Sequence, residues 1–322
     1  EVMRILVIGG AGYIGSHVVK DLLANGHEVT VFDNLSSGHR CNLFPNAAMA
    51  EGDITDPEAL RRVMRKGFDG VVHLAAKKAV GESMENPQKY AVNNLSGTIN
   101  ILNAMADNNI KYLVFSSSAA VYGIPQYLPI DERHPTEPIN FYGFTKLDIE
   151  KLMNWYDRLK GIKYIALRYF NAAGYDESGD IRGLDTAPQN LLPIIMEAAI
   201  GKRDKLKIFG NDYDTPDGTC IRDYIHVSDL ASAHTAALNY LQEKNRSEIL
   251  NLGTETGTSV LEMLKAAEKV IGRPIAFEFA PRRPGDPARL TASAQPAQQL
   301  LNWKPSHSDI DNIVRSTWAV YS

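Results

Sequence analysis

Met3-Arg-Ile-Leu-Val-Ile-Gly-Gly-Ala-Gly-Tyr-Ile-Gly15 decides the fold of this chain. Arg4 to Ile8 is a short apolar run, the pattern of a strand buried on both faces of a parallel sheet. Tyr13 to Ala24 follows with helical spacing. Between them Gly10-Ala-Gly12-Tyr-Ile-Gly15 satisfies G-x-G-x-x-G, and Gly9, Gly12 and Gly15 satisfy the wider spacing. Such a turn brings backbone N–H groups up to a pyrophosphate with no Cβ in the way, and the helix start adds partial positive charge. Alone, a glycine pattern is only a tight turn. Between a strand and a helix at the head of a β–α series, it marks a dinucleotide site.

Further strands are expected at Glu28 to Phe32, Gly70 to Leu74, Tyr112 to Ser118 and Tyr164 to Tyr169, with helices near Pro57–Met64, Pro87–Asn108 and Tyr142–Leu159. Strict alternation of β and α means a doubly wound parallel sheet of the Rossmann type with right-handed crossovers. Beyond Asn171, Gly, Asp and Pro become frequent, and a long loop runs from Gly210 to Thr219, which reads as a smaller, looser cap. The expected division is a dinucleotide-binding domain over 1–171, with a return segment near 221–252, and an α/β substrate-binding cap from 172–220 and 253–322.

Bulk composition fits an ordinary globular protein: 322 residues, 44% apolar, 22% charged and net charge −4. The basic residues are scattered, which argues against a nucleic-acid or anionic-membrane partner. Cys41 and Cys220 lie far apart, as suits a reducing cytoplasm rather than a disulfide scaffold. The sequons at Asn94 and Asn245 read as chance. Glu1 and Val2 read as an expression remnant, and the early first strand leaves no room for a signal peptide. No apolar run approaches the roughly 20 residues of a membrane helix.

Asp33 stands 18 residues after Gly15, at the end of the second strand, where a carboxylate accepts from the adenosine ribose. An ionised Asp there repels a 2′-phosphate, so NAD is favoured over NADP. Asp53, in Glu51-Gly-Asp-Ile54, follows the expected third strand and could reach the adenine.

Tyr142-Gly-Phe-Thr-Lys146 places a phenol and an ammonium one helical turn apart. A nearby ammonium favours the phenolate and fits Tyr142 to act as a general base. Tyr156/Lys160 and Tyr240/Lys244 match the same spacing and read as solvated helix positions. Context selects the first pair, 24 residues after Ser118. Ser116-Ser-Ser118 brings hydroxyls to the C-terminal end of its strand, where the crevice of such a sheet lies.

Together these residues resemble the extended branch of the short-chain dehydrogenase/reductase superfamily, and within it the UDP-galactose (UDP-glucose) 4-epimerase family. Gly9–His17, Asp33-Asn-Leu35, Glu51-Gly-Asp-Ile54, Lys78–Ser83, Ser116–Gly123, Arg168-Tyr-Phe-Asn171, Ile208–Tyr213, Arg222–Val227 and Arg282–Asp286 carry the resemblance, from Met3 to about Trp303. It implies that Tyr142 removes the 4-hydroxyl proton of a UDP-hexose while tightly bound NAD takes the C4 hydride. The 4-keto sugar then turns over and receives the hydride on its other face, with no net redox change. Lys146 would tune Tyr142 and bond the nicotinamide ribose, and Ser118 would hold the 4-oxygen. The cofactor set implied is Gly9, Gly12, Tyr13, Ile14, Gly15, Asp33, Asn34, Asp53, Ile54, Leu74, Lys78, Asn93, Ser116, Tyr142, Lys146 and Phe170. For the UDP-sugar it is Ser118, Tyr142, Asn171, Asn190, Leu191, Phe209, Arg222, Arg283, Asp286 and Leu290. Arg222 and Arg283 suit a diphosphate and Asp286 a ribose diol, whereas Leu191 and Phe209 could equally be cap core.

By the same resemblance, the position that gates the sugar 2-substituent in the family, counted from Asp286, falls on Leu290 rather than tyrosine, which leaves interconversion of UDP-GalNAc and UDP-GlcNAc open. The family is usually a homodimer through helices equivalent to 87–108 and 142–159. Nucleotide-sugar 4,6-dehydratases carry an Asp-Glu pair where Ser117 and Ser118 stand, and an NADPH reductase would favour a basic residue near Asp33. A non-catalytic NAD sensor would typically lack the Tyr/Lys pair. No metal is expected: the histidines lack ligand spacing, His73 reads as core, and Asp212–Gly218 lacks the closing Glu of a calcium loop.

Overall fold

The computed structural model describes residues 1–322. In chain order the first half comprises β1 (Arg4–Ile8), α1 (Tyr13–Ala24), β2 (Glu28–Asp33), β3 (Ala48–Glu51), α2 (Pro57–Met64), β4 (Gly70–His73), α3 (Val80–Glu85), α4 (Pro87–Tyr90), α5 (Gly97–Asp107), β5 (Tyr112–Ser118), α6 (Phe141–Lys160) and β6 (Lys163–Tyr169). The second half comprises β7 (Asn171–Ala173), α7 (Leu191–Ala199), β8 (Leu206–Phe209), β9 (Ile221–His226), α8 (Val227–Lys244), β10 (Glu248–Leu252), β11 (Gly257–Ser259), α9 (Val260–Ile271), β12 (Phe277–Ala280), β13 (Arg289–Leu290), α10 (Gln295–Leu301) and α11 (Ile310–Tyr321).

A seven-stranded parallel sheet runs β10-β6-β5-β4-β1-β2-β3. The strand order reverses between β1 and β4, so the connections that leave their C-terminal ends run to opposite faces of the sheet and leave a crevice there. The strands are apolar on both faces, and each face has its own core. One is built on Val7, Val18, Leu22, Val114 and Leu167, the other on Leu6, Phe32, Val71, Leu113 and Ala166. A third core, around Ile195, Ile208, Met263 and Val314, belongs to the C-terminal elements.

The expected helix over 87–108 is divided in the structure. Between α4 and α5 the turns widen to π-helical spacing over Ala91–Ser96. The segment near 221–252 also divides. β9 pairs with β7, β11 and β13 in a small second sheet, whereas α8 packs on α1 and β10 completes the edge of the large sheet. The reason lies in polarity: the return helix carries Leu230, Ala237, Leu238 and Leu241 into the first core, whereas β9 keeps Arg222 half-buried toward the cap.

Candidate active site

The glycine turn closes between β1 and α1. A Cβ on Gly15 would stand 2.0 Å from the Gly9 carbonyl oxygen, so no larger residue fits this crossing. Asp33 lies at the end of β2, nine-tenths buried, and accepts the Ala11 N–H at 3.0 Å on one oxygen and the Leu35 N–H at 2.8 Å on the other. Asn34 donates to Asp53 at 2.8 Å. Asp53 also takes the Thr55 backbone and hydroxyl, and these donors hold its carboxyl below the usual range. Gly9, Gly12, Gly15, Asp33, Asn34 and Asp53 thus line one crevice rim, fit for a pyrophosphate with an adenosine beside it. Ile54 is core against Gly97, Ile14 packs on the first core, and Leu74 continues from β4 beside Ile8. Lys78 is exposed on the loop after β4, and Asn93 is half-buried and donates to Asn94.

The Tyr13 hydroxyl is already engaged, which leaves only its backbone, at the start of α1, for the cofactor. The hydroxyl donates to the Gly174 carbonyl, and the ring packs at a tilt against Tyr175. The next turns of α1 continue the seam: His17 accepts the Asp176 N–H at 2.9 Å, and Lys20 reaches Asp176 at 2.7 Å and Asp180 at 2.9 Å. Asn42 accepts the Gly183 N–H at 3.0 Å and donates to the Ala11 carbonyl at 3.2 Å. A strap from Gly174 to Leu184 is therefore sewn along α1 and onto the glycine turn itself. The sequence reading missed it, because each partner lies more than 140 positions away.

The catalytic candidates meet where α6 docks on the end of β5. Asn140 caps the helix by accepting the Gly143 N–H at 2.7 Å. Gly143 permits the approach, since a Cβ there would meet the Ala120 carbonyl oxygen at 2.4 Å. This contact brings Tyr142 against the turn that follows Ser118. Burial pushes the Tyr142 phenol up to about 12, with neighbouring Ser118 opposing. Lys146 donates its Nζ to the Ser116 carbonyl at 2.6 Å, lies 5.7 Å from the Tyr142 ring and is pulled down to about 7 by burial, with Glu150 opposing. In the protein alone, burial disfavours the charged form of both groups.

The other two Tyr/Lys matches are not solvated pairs. Tyr156 donates to Asn103 at 2.6 Å and Tyr240 is buried against Glu248, because only the lysine ends of those turns face outward. His73 is core, bonded to Thr98.

Phe170 and Leu290 both pack on the cluster of Val121, Tyr122 and Ile130 just past Ser118. β13 sets Leu290 in register with Arg222 of β9, which links the catalytic end to the cap. There Arg222 lies 3.5 Å from Asp286, Arg283 donates to Asp286 at 3.0 Å, and the Arg283 guanidinium sits 4.9 Å over the Phe209 ring. Phe209 is 37% exposed, too open for the cap core. Leu191 packs against that core, Asn190 is exposed at the start of α7 without a capping bond, and Asn171 pairs with Tyr224 in the small sheet. No group of three or more His, Cys, Asp or Glu side chains converges as a metal site.

The NAD dependent epimerase/dehydratase family matches residues 5–253. A UDP-glucose 4-epimerase of Streptococcus mutans is 51% identical over 99% of this chain and 97% of its own. The crystal structure of UDP-glucose 4-epimerase from Brucella ovis, in complex with NAD, superposes with a TM-score of 0.97 at 43% identity, covering 99% of this chain and 98% of that one. The UDP-Glc/GlcNAc 4-epimerase of Campylobacter jejuni is similar at a TM-score of 0.88 and 41% identity, covering 99% and 98%. The chain therefore belongs to the NAD dependent epimerase/dehydratase family and, within it, to the UDP-glucose 4-epimerases.

Proposed function

We propose that the chain interconverts UDP-galactose and UDP-glucose at C4, and that Tyr142, Ser118 and Lys146 carry the proton chemistry. The observation that carries this reading is the docking of α6 on β5, which sets Tyr142 beside Ser118 with Lys146 one turn behind. NAD, when bound, accepts a hydride from the sugar C4 and returns it. Gly9, Gly12, Tyr13, Ile14, Gly15, Asp33, Asn34, Asp53, Ile54, Leu74, Lys78, Asn93, Ser116 and Phe170, with Tyr142 and Lys146, are the residues proposed to hold it. Tyr142 Oη takes the 4-hydroxyl proton and gives it back, and Ser118 bonds the 4-oxygen on both passes. Lys146, as an ammonium, steadies the phenolate.

Asn171, Asn190, Leu191, Phe209, Arg222, Arg283 and Asp286 are proposed to grip the UDP while the sugar turns. A firm hold on the remote diphosphate is what lets a ketone rotate without escaping. The dehydratase reading is disfavoured, since Ser117 and Ser118 offer no acid–base pair for a C5 proton. Incubating the purified protein with UDP-galactose and no added cofactor, and resolving the products, tests the proposal. Formation of UDP-glucose supports it, and absence of the 4-epimer refutes it.

A second reading, acceptance of the N-acetyl sugars, rests on Leu290. Its side chain packs on Val121, Tyr122 and Ile130 and is less bulky than a tyrosine. Turnover of UDP-GalNAc in the same assay supports it.

We also propose a homodimer. Phe144, Trp155 and Leu159 lie along one face of α6 and are 41%, 56% and 69% exposed, with Val92 and Ile99 open on the neighbouring helices. Sedimentation equilibrium at the dimer mass supports this. A cytoplasmic setting is inferred from cysteine usage, and cell fractionation checks it. No helix is long and apolar enough to cross a membrane.

A further inference from the structure

Three successive residues of β5 each engage one successive turn of α6. Ser118 meets Tyr142, the Ser116 carbonyl takes Lys146 Nζ at 2.6 Å, and the Ser117 hydroxyl donates to Glu150 at 2.6 Å. Tyr142, Lys146 and Glu150 are spaced i, i+4, i+8, a single stripe on the helix. The epimerase chemistry accounts for the first two and leaves Glu150 without a task.

Glu150 is held tightly for a residue with no task. It is 3% exposed, and Arg168 of β6, 4% exposed, grips it with two parallel bonds of 3.0 Å and 2.5 Å. Arg168 is itself braced by the Tyr122 hydroxyl at 2.9 Å, and Tyr122 donates to Asn251 at 2.5 Å. A buried ion pair is weak support for stability, because desolvation offsets the attraction. Its retention behind the Tyr/Lys pair asks for another account.

We propose that Glu150, clamped by Arg168 and Ser117, is a positioning residue that holds the Lys146 turn of α6 against the end of β5 and sets a carboxylate one turn behind it. The other groups around Lys146 are uncharged: the Phe115 face at 4.8 Å and the Ser116 carbonyl on β5, neutral His73 on β4 and the Tyr142 ring on its own helix. Glu150 is the carboxylate that acts on it. Arg168 fixes the two Glu150 oxygens, so Ser117 and the strand end cannot drift from the helix. Without the Glu150 carboxylate, burial prevails and Lys146 loses its proton at lower pH, which withdraws support from the Tyr142 phenolate.

This inference rests on the epimerase reading. Its test is the pH dependence of kcat for UDP-galactose in wild type, Glu150→Gln and the neutral double variant Glu150→Gln/Arg168→Gln, which leaves no buried charge unpartnered. Folding of each is checked by circular dichroism. In folded Glu150→Gln, kcat should fall at least about tenfold near the alkaline end and recover toward acid, moving the alkaline limb down by about one pH unit or more, and the double variant, which loses a cation along with the carboxylate, should move it less. KM for UDP-galactose should stay within about threefold, because the cap holds the nucleotide. An alkaline limb unchanged from wild type, or a uniform loss of kcat at every pH, would overturn the proposal. Failure of the epimerase reading is a separate outcome, since wild type would then make no UDP-glucose at any pH.

Discussion

Asp33 grips the turn it follows in space: one carboxylate oxygen takes the Ala11 amide at 3.0 Å and the other takes Leu35 at 2.8 Å. The residue expected to recognise a ribose is thus also a brace for the pyrophosphate loop. Asp33→Ala should leave the Ala11 donor unmet at a cost of about 1–3 kcal/mol and loosen both roles. Nucleotide recovered by denaturing gel-filtered protein should fall below one equivalent and be restored by added NAD. Full retention of nucleotide would contradict this.

Tyr142→Phe removes the proposed base while keeping the ring against the Ser118 turn. Turnover of UDP-galactose should fall by about 10²–10⁴-fold. Melting temperature and nucleotide content should stay near wild type. Near-normal turnover would mean that another group is the base.

Lys20 ties the strap to α1 through Asp176 and Asp180, with Ser178 also within reach. Lys20→Ala should raise amide exchange across 174–184 by about tenfold, the equivalent of about 1.4 kcal/mol of local stability, while β5 and α6 stay protected. Exchange by mass spectrometry reads both regions at once. Unchanged exchange in the strap would show that Tyr13, His17 and Asn42 hold it without Lys20.

Four histidines are buried neutral. Burial pulls His17, His226 and His234 down to about 4 and His73 to about 3. Each stabilises the fold above pH about 6.5, where the unfolded chain is also unprotonated, and its contribution is lost as pH falls toward 4. Between pH 7.5 and 5 the loss is about 1–2 kcal/mol per histidine. Guanidinium midpoints at the two pH values measure it, and equal midpoints would rule it out. His17 and His226 both contact the strap seam, so acid should loosen that seam first.

The first half of the fold was legible because its signals are local. β1, the glycine turn and α1 occupy consecutive residues, and the 3.6 and 2.0 periodicities of the later elements need no partner to be seen. Tyr142, Lys146 and Ser118 were legible as types at a spacing, and Leu290 as a departure from tyrosine. The protonation of the Tyr142/Lys146 pair was not, because it depends on how dry the pair becomes once α6 is seated on β5. Solvated readings of Tyr156 and Tyr240 failed for the same reason: a side chain's burial belongs to its neighbours in space.

By itself, then, the sequence determined the parallel sheet, the crevice at its switch point and the residue types that could act there. Tertiary structure decided which of them meet. Only packing could place Glu150 and Arg168 behind Lys146, carry β9 into the cap sheet and lay the strap along α1, since hydrogen bonds and desolvation act over a few ångströms and do not record how much chain lies between the partners.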